Sequence, residues 1–129
     1  DKAKNERVQT NEVIIVEGYM DVVSLSRAGV KNVISNSGTA LTEMQISLIW
    51  KFFSDPIICL DGDESGRKAA YRIAERLFPL LNDKNKIYFL NIEEGTDPDD
   101  FIKNHGKQNF LKLLQEKQII QSFIYISII

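Results

Sequence analysis

The chain has 129 residues, of which 43% are hydrophobic and 26% charged, as expected for one globular domain with a single core. Its formal net charge of −2 at pH 7 argues against a free-standing nucleic-acid binder that depends on phosphate neutralisation, and its single cysteine excludes an intrachain disulfide. Residues 1–11 contain no apolar signal core, and the apolar stretch at 123–129 is far shorter than the roughly 20 residues that a membrane helix needs. We therefore expect a soluble, cytoplasmic protein without a membrane partner.

Two unbroken apolar runs predict the centre of a β-sheet. They cover residues 13–16 and 57–60, and each is followed directly by an acid, Glu17 and Asp61 respectively. Neither run alternates apolar with polar residues, so both suit strands that are buried on both faces. Cys59, inside the second run, is expected to be a buried free thiol.

The segment between these runs predicts a helix, a strand and a second helix. Residues 20–28 have a helical pattern, and residues 33–34 form a short apolar strand. The second helix is predicted over residues 42–53, where Thr42 and Gln45 have the spacing of a capping box.

After Asp61, a glycine-containing loop leads into a third helical pattern from about residue 67 to 81, and a fourth strand follows at 87–90. This alternation of strands and helices predicts an α/β fold, with a roughly four-stranded parallel sheet flanked by helices on both faces.

The last third of the chain predicts extra C-terminal helices. Asp97 before Pro98 is typical of an N-cap and first helical position, and Gly106 ends this helix. Residues 109–117 and 119–128 predict two further helices. We find no internal repeat and no linker-like segment, so we expect one domain.

Acidic residues follow three of the four predicted strands. In an open parallel sheet, ligands bind beyond the carboxyl ends of the strands, where these acids are expected to meet. Crowded carboxylates disfavour one another's ionised forms unless a cation balances them. Oxygen ligands without nearby histidine or cysteine match Mg²⁺ or Mn²⁺ rather than Zn²⁺. The acids are Glu17, Asp61, Asp63, Asp97, Asp99 and Asp100.

Glycines and basic residues accompany these acids. Gly18, Gly62 and Gly66 permit a metal or phosphate to approach the main chain, and Arg67 opens the next helix beside them. A basic stripe on that helix suits a solvated face better than a DNA track, and comprises Lys68, Arg72 and Arg76.

Some of these residues also have ordinary structural explanations. Asp97 is a normal N-cap, and Asp99 favours the helix dipole, so for both a structural role stays open beside metal binding. Tyr19 and Met20, next to Glu17, are expected to pack against the sheet.

Three stretches resemble the Toprim motifs of bacterial DNA primases. They are EGYMD at 17–21, DGD with the following GR at 61–67, and GTDPD at 95–99. A glutamate followed by Asp-x-Asp is shared with the Toprim domains of topoisomerases, recombination-mediator proteins and OLD-type nucleases. The sequences EGYMD and GTDPD are closer to the motifs of the primases than to those of the other Toprim proteins, and the resemblance covers nearly the whole chain.

Carried onto this sequence, the resemblance implies an acidic site for two Mg²⁺ or Mn²⁺ ions. Glu17 and Asp61 would ligate one ion, and Asp61 and Asp63 the second. Glu17 is either such a ligand or the general base that takes the hydroxyl proton. The other residues that the resemblance places in this site are Asp21, Asp97, Asp99, Gly18, Gly62, Gly66 and Arg67.

The resemblance also implies template-directed synthesis of RNA primers from nucleoside triphosphates (NTPs) on single-stranded DNA, at a replication fork with a helicase as partner. Primases of this type carry a zinc-binding domain, a basic subdomain and a helicase-binding tail, none of which is in this sequence, so zinc and helicase contacts belong elsewhere. We expect residues 1–129 to be the Toprim catalytic core of a larger primase. The last helix, about 119–129, belongs either to this core or to a following helical subdomain.

Other functions use similar residues. A Toprim nuclease or topoisomerase would use the same acids to cleave a phosphodiester, and a recombination mediator needs a zinc site that one cysteine cannot build. A receiver-like Mg²⁺-binding signalling module has paired acids after its first strand and a lone aspartate after its third. This chain instead has Glu17-Gly18 first and Asp61-Gly62-Asp63 later, so the primase interpretation leads.

Overall fold

A computed structural model of the protein describes residues 10–36, 41–60, 64–92 and 96–120, with the side chains at 65–67 excluded. These ranges contain five strands, four α-helices and one 3-10 turn. The strands are β1 (Glu12–Val16), β2 (Val33–Ser35), β3 (Asp55–Leu60), β4 (Tyr88–Asn91) and β5 (Gln118–Ile119). The helices are α1 (Tyr19–Arg27), α2 (Glu43–Phe52), α3 (Glu64–Leu77) and α4 (Pro98–Leu114), and the 3-10 turn is Phe78–Leu80.

The strands form one sheet in the order β2-β1-β3-β4-β5. The pairs β1–β2, β1–β3 and β3–β4 are parallel, and only β5 runs antiparallel, beside β4. The predicted α/β fold with four parallel strands is therefore confirmed, and a short antiparallel edge strand is added to it.

Helices cover both faces of the sheet, as predicted. Along β1, Ile14 and Val16 pack into one apolar cluster with residues of α1 and α4. Ile15, between them, packs into the opposite cluster with residues of α2 and α3. Successive strand side chains point to opposite faces, so a strand covered on both sides must be apolar throughout. This explains why the run at 13–16 does not alternate.

Local side-chain signals define most helix ends. Thr42 and Gln45 form the predicted capping box of α2, with N–H···O distances of 3.1 Å to the Thr42 hydroxyl and 2.9 Å to the Gln45 amide oxygen. The helix predicted to continue to residue 81 ends as α-helix at Leu77, because Pro79 in the following 3-10 turn cannot continue it. Gly106, at φ 82°, divides α4 into two helical segments, as the sequence indicated.

One predicted helix is wrong at its first residue. Ile119, expected to begin the last helix, lies in β5 opposite Tyr88 of β4. The amide of Ile120 donates to the carbonyl of Ile87 at 2.7 Å, and the Ile120 side chain is completely buried. A pair of β-branched residues suits a strand that covers the open edge of β4. Residues 121–129 lie outside the described part of the chain.

Candidate metal centre

The carboxyl end of β1 carries the first candidate acid. Glu17 follows Val16 directly and is exposed to solvent. The hydroxyl of Ser35 donates to the Glu17 carbonyl at 3.1 Å, and the Asn36 amide donates to the Val16 carbonyl at 2.8 Å. These bonds fix the Glu17 main chain against the end of β2 and leave its carboxylate accessible.

A second acidic group lies at the start of α4. Carboxylate oxygens of Asp97, Asp99 and Asp100 lie within 4.8 Å of one another. Asp97 is the predicted N-cap, and its Oδ1 accepts a hydrogen bond from the Asp100 amide at 2.8 Å. The positive end of the helix dipole stabilises these charges, which accounts for part of their proximity without a cation.

Asp99 is held by side chains of two helices. The Ser24 hydroxyl of α1 and then Lys103 of α4, whose Nζ lies 3.0 Å from Oδ2, lower the pKa of the Asp99 carboxyl through hydrogen bonds. Lys103 is four residues after Asp99, a spacing that the sequence displays and that predicts a contact on one helix face. Ser24 has no such signal, because its contact depends on the packing of α1 against α4.

Asp21 links the two acidic segments. It lies in the first turn of α1, it is 8% exposed, and its Oδ1 accepts the Asp99 amide at 3.0 Å. Burial raises the pKa of this carboxyl, hydrogen bonds from the Asp99 and Gly18 amides oppose the rise, and the charges of Asp97 and Asp99 add to it. The carboxyl thus joins the turn after Glu17 to the start of α4.

The neighbours of Glu17 are oriented differently from expectation. Tyr19 and Met20, predicted to pack against the sheet, are 72% and 62% exposed, so that prediction is wrong. The buried face of α1 carries Asp21 and Leu25 instead, four residues apart. Residues one or two positions before Asp21 point away from that face at about 100° per residue.

Several predicted site residues fall outside this description. Gly66 and Arg67 lie in the first turn of α3, where only the course of the main chain is described. Asp61, Gly62 and Asp63 lie outside the described residues altogether. Asp61 follows Leu60, the last residue of β3, directly in sequence. The roles predicted for these residues stay predictions.

A cleft adjoins Glu17 on the α2–α3 face of the sheet. It measures about 470 Å³, and among the described residues its polar lining comes from Glu17, Asn36, Arg72 and Arg76. Its floor is apolar and consists of side chains from β1, β3 and α3. Arg72 and Arg76, expected on a solvated face, are exposed, and both also line this cleft.

The described acids fit a hard divalent cation. Glu17 is accessible, and the cluster at the start of α4 offers several carboxylate oxygens within a short span. Such oxygen donors suit Mg²⁺ or Mn²⁺.

Comparison with known proteins identifies the family. The sequence model described as the Toprim domain matches residues 11–91. The chain belongs to the Toprim domain family. Membership confirms the predicted resemblance and excludes the receiver-like signalling module as its family.

Curated relatives of this Toprim domain are DNA primases. It is 39% identical to the DNA primase of Pasteurella multocida over 127 residues, which are 95% of this chain and 22% of that protein. It is 36% identical to the DNA primase of Rickettsia typhi over 124 residues, 96% of this chain and 21% of that protein. The chain thus spans about a fifth of the length of these relatives.

Solved structures show the same fold. The DnaG primase catalytic domain bound to single-stranded DNA matches with a TM-score of 0.83 and 30% identity, over 99% of this chain and 40% of that one. A DNA primase domain from Pseudomonas aeruginosa matches with a TM-score of 0.82 and 33% identity, over 98% of this chain and 39% of that one. None of the helices in the described ranges has the length and hydropathy needed to cross a membrane.

Proposed function

We propose that this Toprim domain is the metal-dependent catalytic core of a DNA primase, which synthesises short RNA primers from NTPs on a single-stranded DNA template. The observation that carries the proposal is the meeting of the EGYMD and DPD segments through the Asp21–Asp99 hydrogen bond. That contact occurs in a fold whose matches include primase catalytic domains over nearly the whole chain. Fold alone would not indicate an activity, whereas this set of acids, in a chain whose curated relatives are DNA primases, supports this one.

The acids act as ligands in this proposal. Glu17 and Asp61 would hold one Mg²⁺ or Mn²⁺, Asp61 and Asp63 a second, and Asp97 and Asp99 would complete the site. Two bound divalent cations supply Lewis-acid stabilisation to the attacking and leaving oxygens of an in-line displacement at phosphorus. The carboxylates themselves would position the metal ions and would not act as nucleophiles. Gly18, Gly62, Gly66 and Arg67 would shape the approach of the phosphates.

Glu17 has two possible roles, and they are separable. As a ligand it contributes to metal affinity, whereas as a general base it needs only to reach the primer hydroxyl. Its exposed carboxylate permits both. Glu17→Gln in a ligand role would weaken Mn²⁺ binding, and in a base role would leave binding intact and lower kcat.

The cleft beside Glu17 is our proposed entrance for the nucleotide. Arg72 and Arg76 are one helical turn apart on α3 and place two positive charges on its lining. A triphosphate is attracted by such a pair, while the apolar floor suits the base. Both arginines are thereby assigned to substrate binding and not to the chemical step.

Changing either arginine should therefore affect NTP affinity. We expect Arg72→Gln and Arg76→Gln each to raise the KM for NTPs by about 10-fold with kcat little changed, because each removes one charged hydrogen bond from ground state and transition state alike. Steady-state primer synthesis measures both constants. Lys68→Gln, an exposed change one turn earlier on α3, is the matched control and should leave KM unaltered. Equal KM in all three variants would contradict the assignment.

The wider context is proposed in the same terms. Single-stranded DNA, NTPs and the RNA primer would be the direct partners, and a replicative helicase would bind regions outside this chain. Zinc would belong to a separate domain. The site of action would be the bacterial cytoplasm, at the replication fork.

The test is a chimera in which this chain replaces the matching segment of the Pasteurella multocida primase. We expect the chimera to make primers from NTPs on single-stranded DNA with Mg²⁺, and its Glu17→Gln variant to be impaired. A folded chimera that makes no primers, beside an active parent enzyme, would overturn the proposal. Mg²⁺-dependent cleavage of DNA by the chimera would instead favour a nuclease or topoisomerase.

A further inference from the structure

Among the described acids of the candidate centre, Asp21 is the most deeply buried, and its carboxyl meets main-chain amides of two helices. One partner is the Asp99 amide in the first turn of α4, at 3.0 Å, and the other is the Gly18 amide at the N-cap of α1. We infer that Asp21 is a positioning residue, which holds the Asp97–Asp99 turn against the Glu17–Gly18 turn and is not itself a metal ligand. This inference rests on the proposed function.

The start of α4 shows why Asp21 is needed there. The first amides of a helix lack partners within it. Pro98, at the first position, has no N–H, and the Asp100 amide donates to Asp97 Oδ1 at 2.8 Å. The Asp99 amide lies between them and donates to Asp21, a residue of another helix. The cap of α4 is thus completed only when α1 is docked.

The same Asp21 carboxyl also caps the N-terminus of α1. Gly18 is the N-cap and Asp21 the third helical residue, the position from which an acidic side chain reaches back to the N-cap amide. A Cβ at Gly18 would lie 3.2 Å from Asp21 Oδ2, so the two groups are closely packed. Two amide donors and close packing account for the burial of this carboxyl without a metal.

Asp99 is therefore fixed by α1 at two points. Asp21 accepts its amide, and Ser24, three residues later on α1, donates to its carboxylate. Residues three apart lie on one helix face, so a single face of α1 determines the position of Asp99. Removing either contact should misplace a proposed ligand without removing a ligand.

A double-mutant cycle on Mn²⁺ binding tests this. We expect Asp21→Ala to weaken Mn²⁺ binding to the chain by about 10- to 100-fold, as for other residues that orient ligands. In an Asp97→Ala/Asp99→Ala background the same change should cost less than about 3-fold, because both carboxylates that Asp21 positions are gone. Ser24→Ala should be non-additive with Asp99→Ala alone, and Ser26→Ala, an exposed change on α1, is the control without effect.

Calorimetry gives the affinities, and circular dichroism verifies that each variant is folded. Hydrogen exchange without metal gives a second readout, since the Asp99 amide should exchange faster in Asp21→Ala and Asp21→Asn than in Ser26→Ala. If Asp21→Ala does not fold, the inference is tested by the Ser24/Asp99 cycle and by the hydrogen exchange of the Asp99 amide in Asp21→Asn.

The outcomes separate the two proposals. Additive losses for Asp21→Ala and Asp97→Ala/Asp99→Ala, or unchanged exchange at Asp99, would overturn the positioning role while the metal site stands. Absence of Mn²⁺ binding by the folded unmutated chain would instead overturn the metal-dependent function, and the inference with it.

Discussion

Asp61→Asn is expected to abolish primer synthesis by the primase chimera and saturable Mn²⁺ binding by the chain. β3 lies between β1 and β4 in the sheet, so its last residue, Leu60, lies between the two strands that precede Glu17 and Asp97 in the chain. Asp61 follows Leu60 in sequence and is the one residue proposed to serve both ions. Loss of a group that only orients a ligand costs about 10- to 100-fold, so we expect loss of the shared ligand to cost about 100-fold or more.

The control for this prediction is Asp83→Asn. Asp83 is an exposed aspartate in the connection between α3 and β4, so the same charge change there should leave both readouts unaltered. Circular dichroism and thermal unfolding establish that Asp61→Asn keeps the fold. Primer synthesis within about 3-fold of the unmutated chimera would contradict the role of Asp61, because a lost metal ligand cannot have so small an effect.

The sheet was predictable because its signals are local. The runs at 13–16 and 57–60 are short, rich in β-branched residues and apolar at successive positions, as a strand covered on both faces requires. The start of α2 follows from Thr42 and Gln45, whose side chains satisfy amides within the same turn. Those bonds depend on a few neighbouring residues, so the sequence alone displays them.

Features that depend on contacts between distant segments were not predictable. An apolar residue such as Ile119 fits either a buried helix or a strand. Its pairing with Tyr88, which is distant in sequence, places it in a strand. The sequence placed Asp21 in the acidic site by resemblance, whereas its hydrogen bond to the Asp99 amide joins positions 78 residues apart. Ser24 gave no signal at all, since its role exists only once α1 packs on α4.

Cys59 offers a reporter of this site that does not depend on catalysis. Its thiol is buried in β3, and burial, with the charge of Asp21 adding, raises its pKa from 9.0 to about 12. Only the thiolate reacts with iodoacetamide, so a rise of about three pKa units lowers its population about 1,000-fold at pH 8. We expect labelling of the native chain to be at least that much slower than labelling in urea. Equal rates in both would contradict the burial of β3.

Residual labelling of the native chain should then report metal binding. Because Cys59 must become exposed by unfolding before it reacts, a ligand that binds only the folded state slows labelling in proportion to its free concentration divided by Kd, by about 100-fold at 100 times its Kd. The chain has one cysteine, so the rate has a single source. We expect Mn²⁺ to protect Cys59 in the unmutated chain and in Asp83→Asn, and not in Asp61→Asn. Equal protection in all three would place the bound metal away from Asp61, because the ion would then stabilise the fold without the carboxylate proposed to hold it.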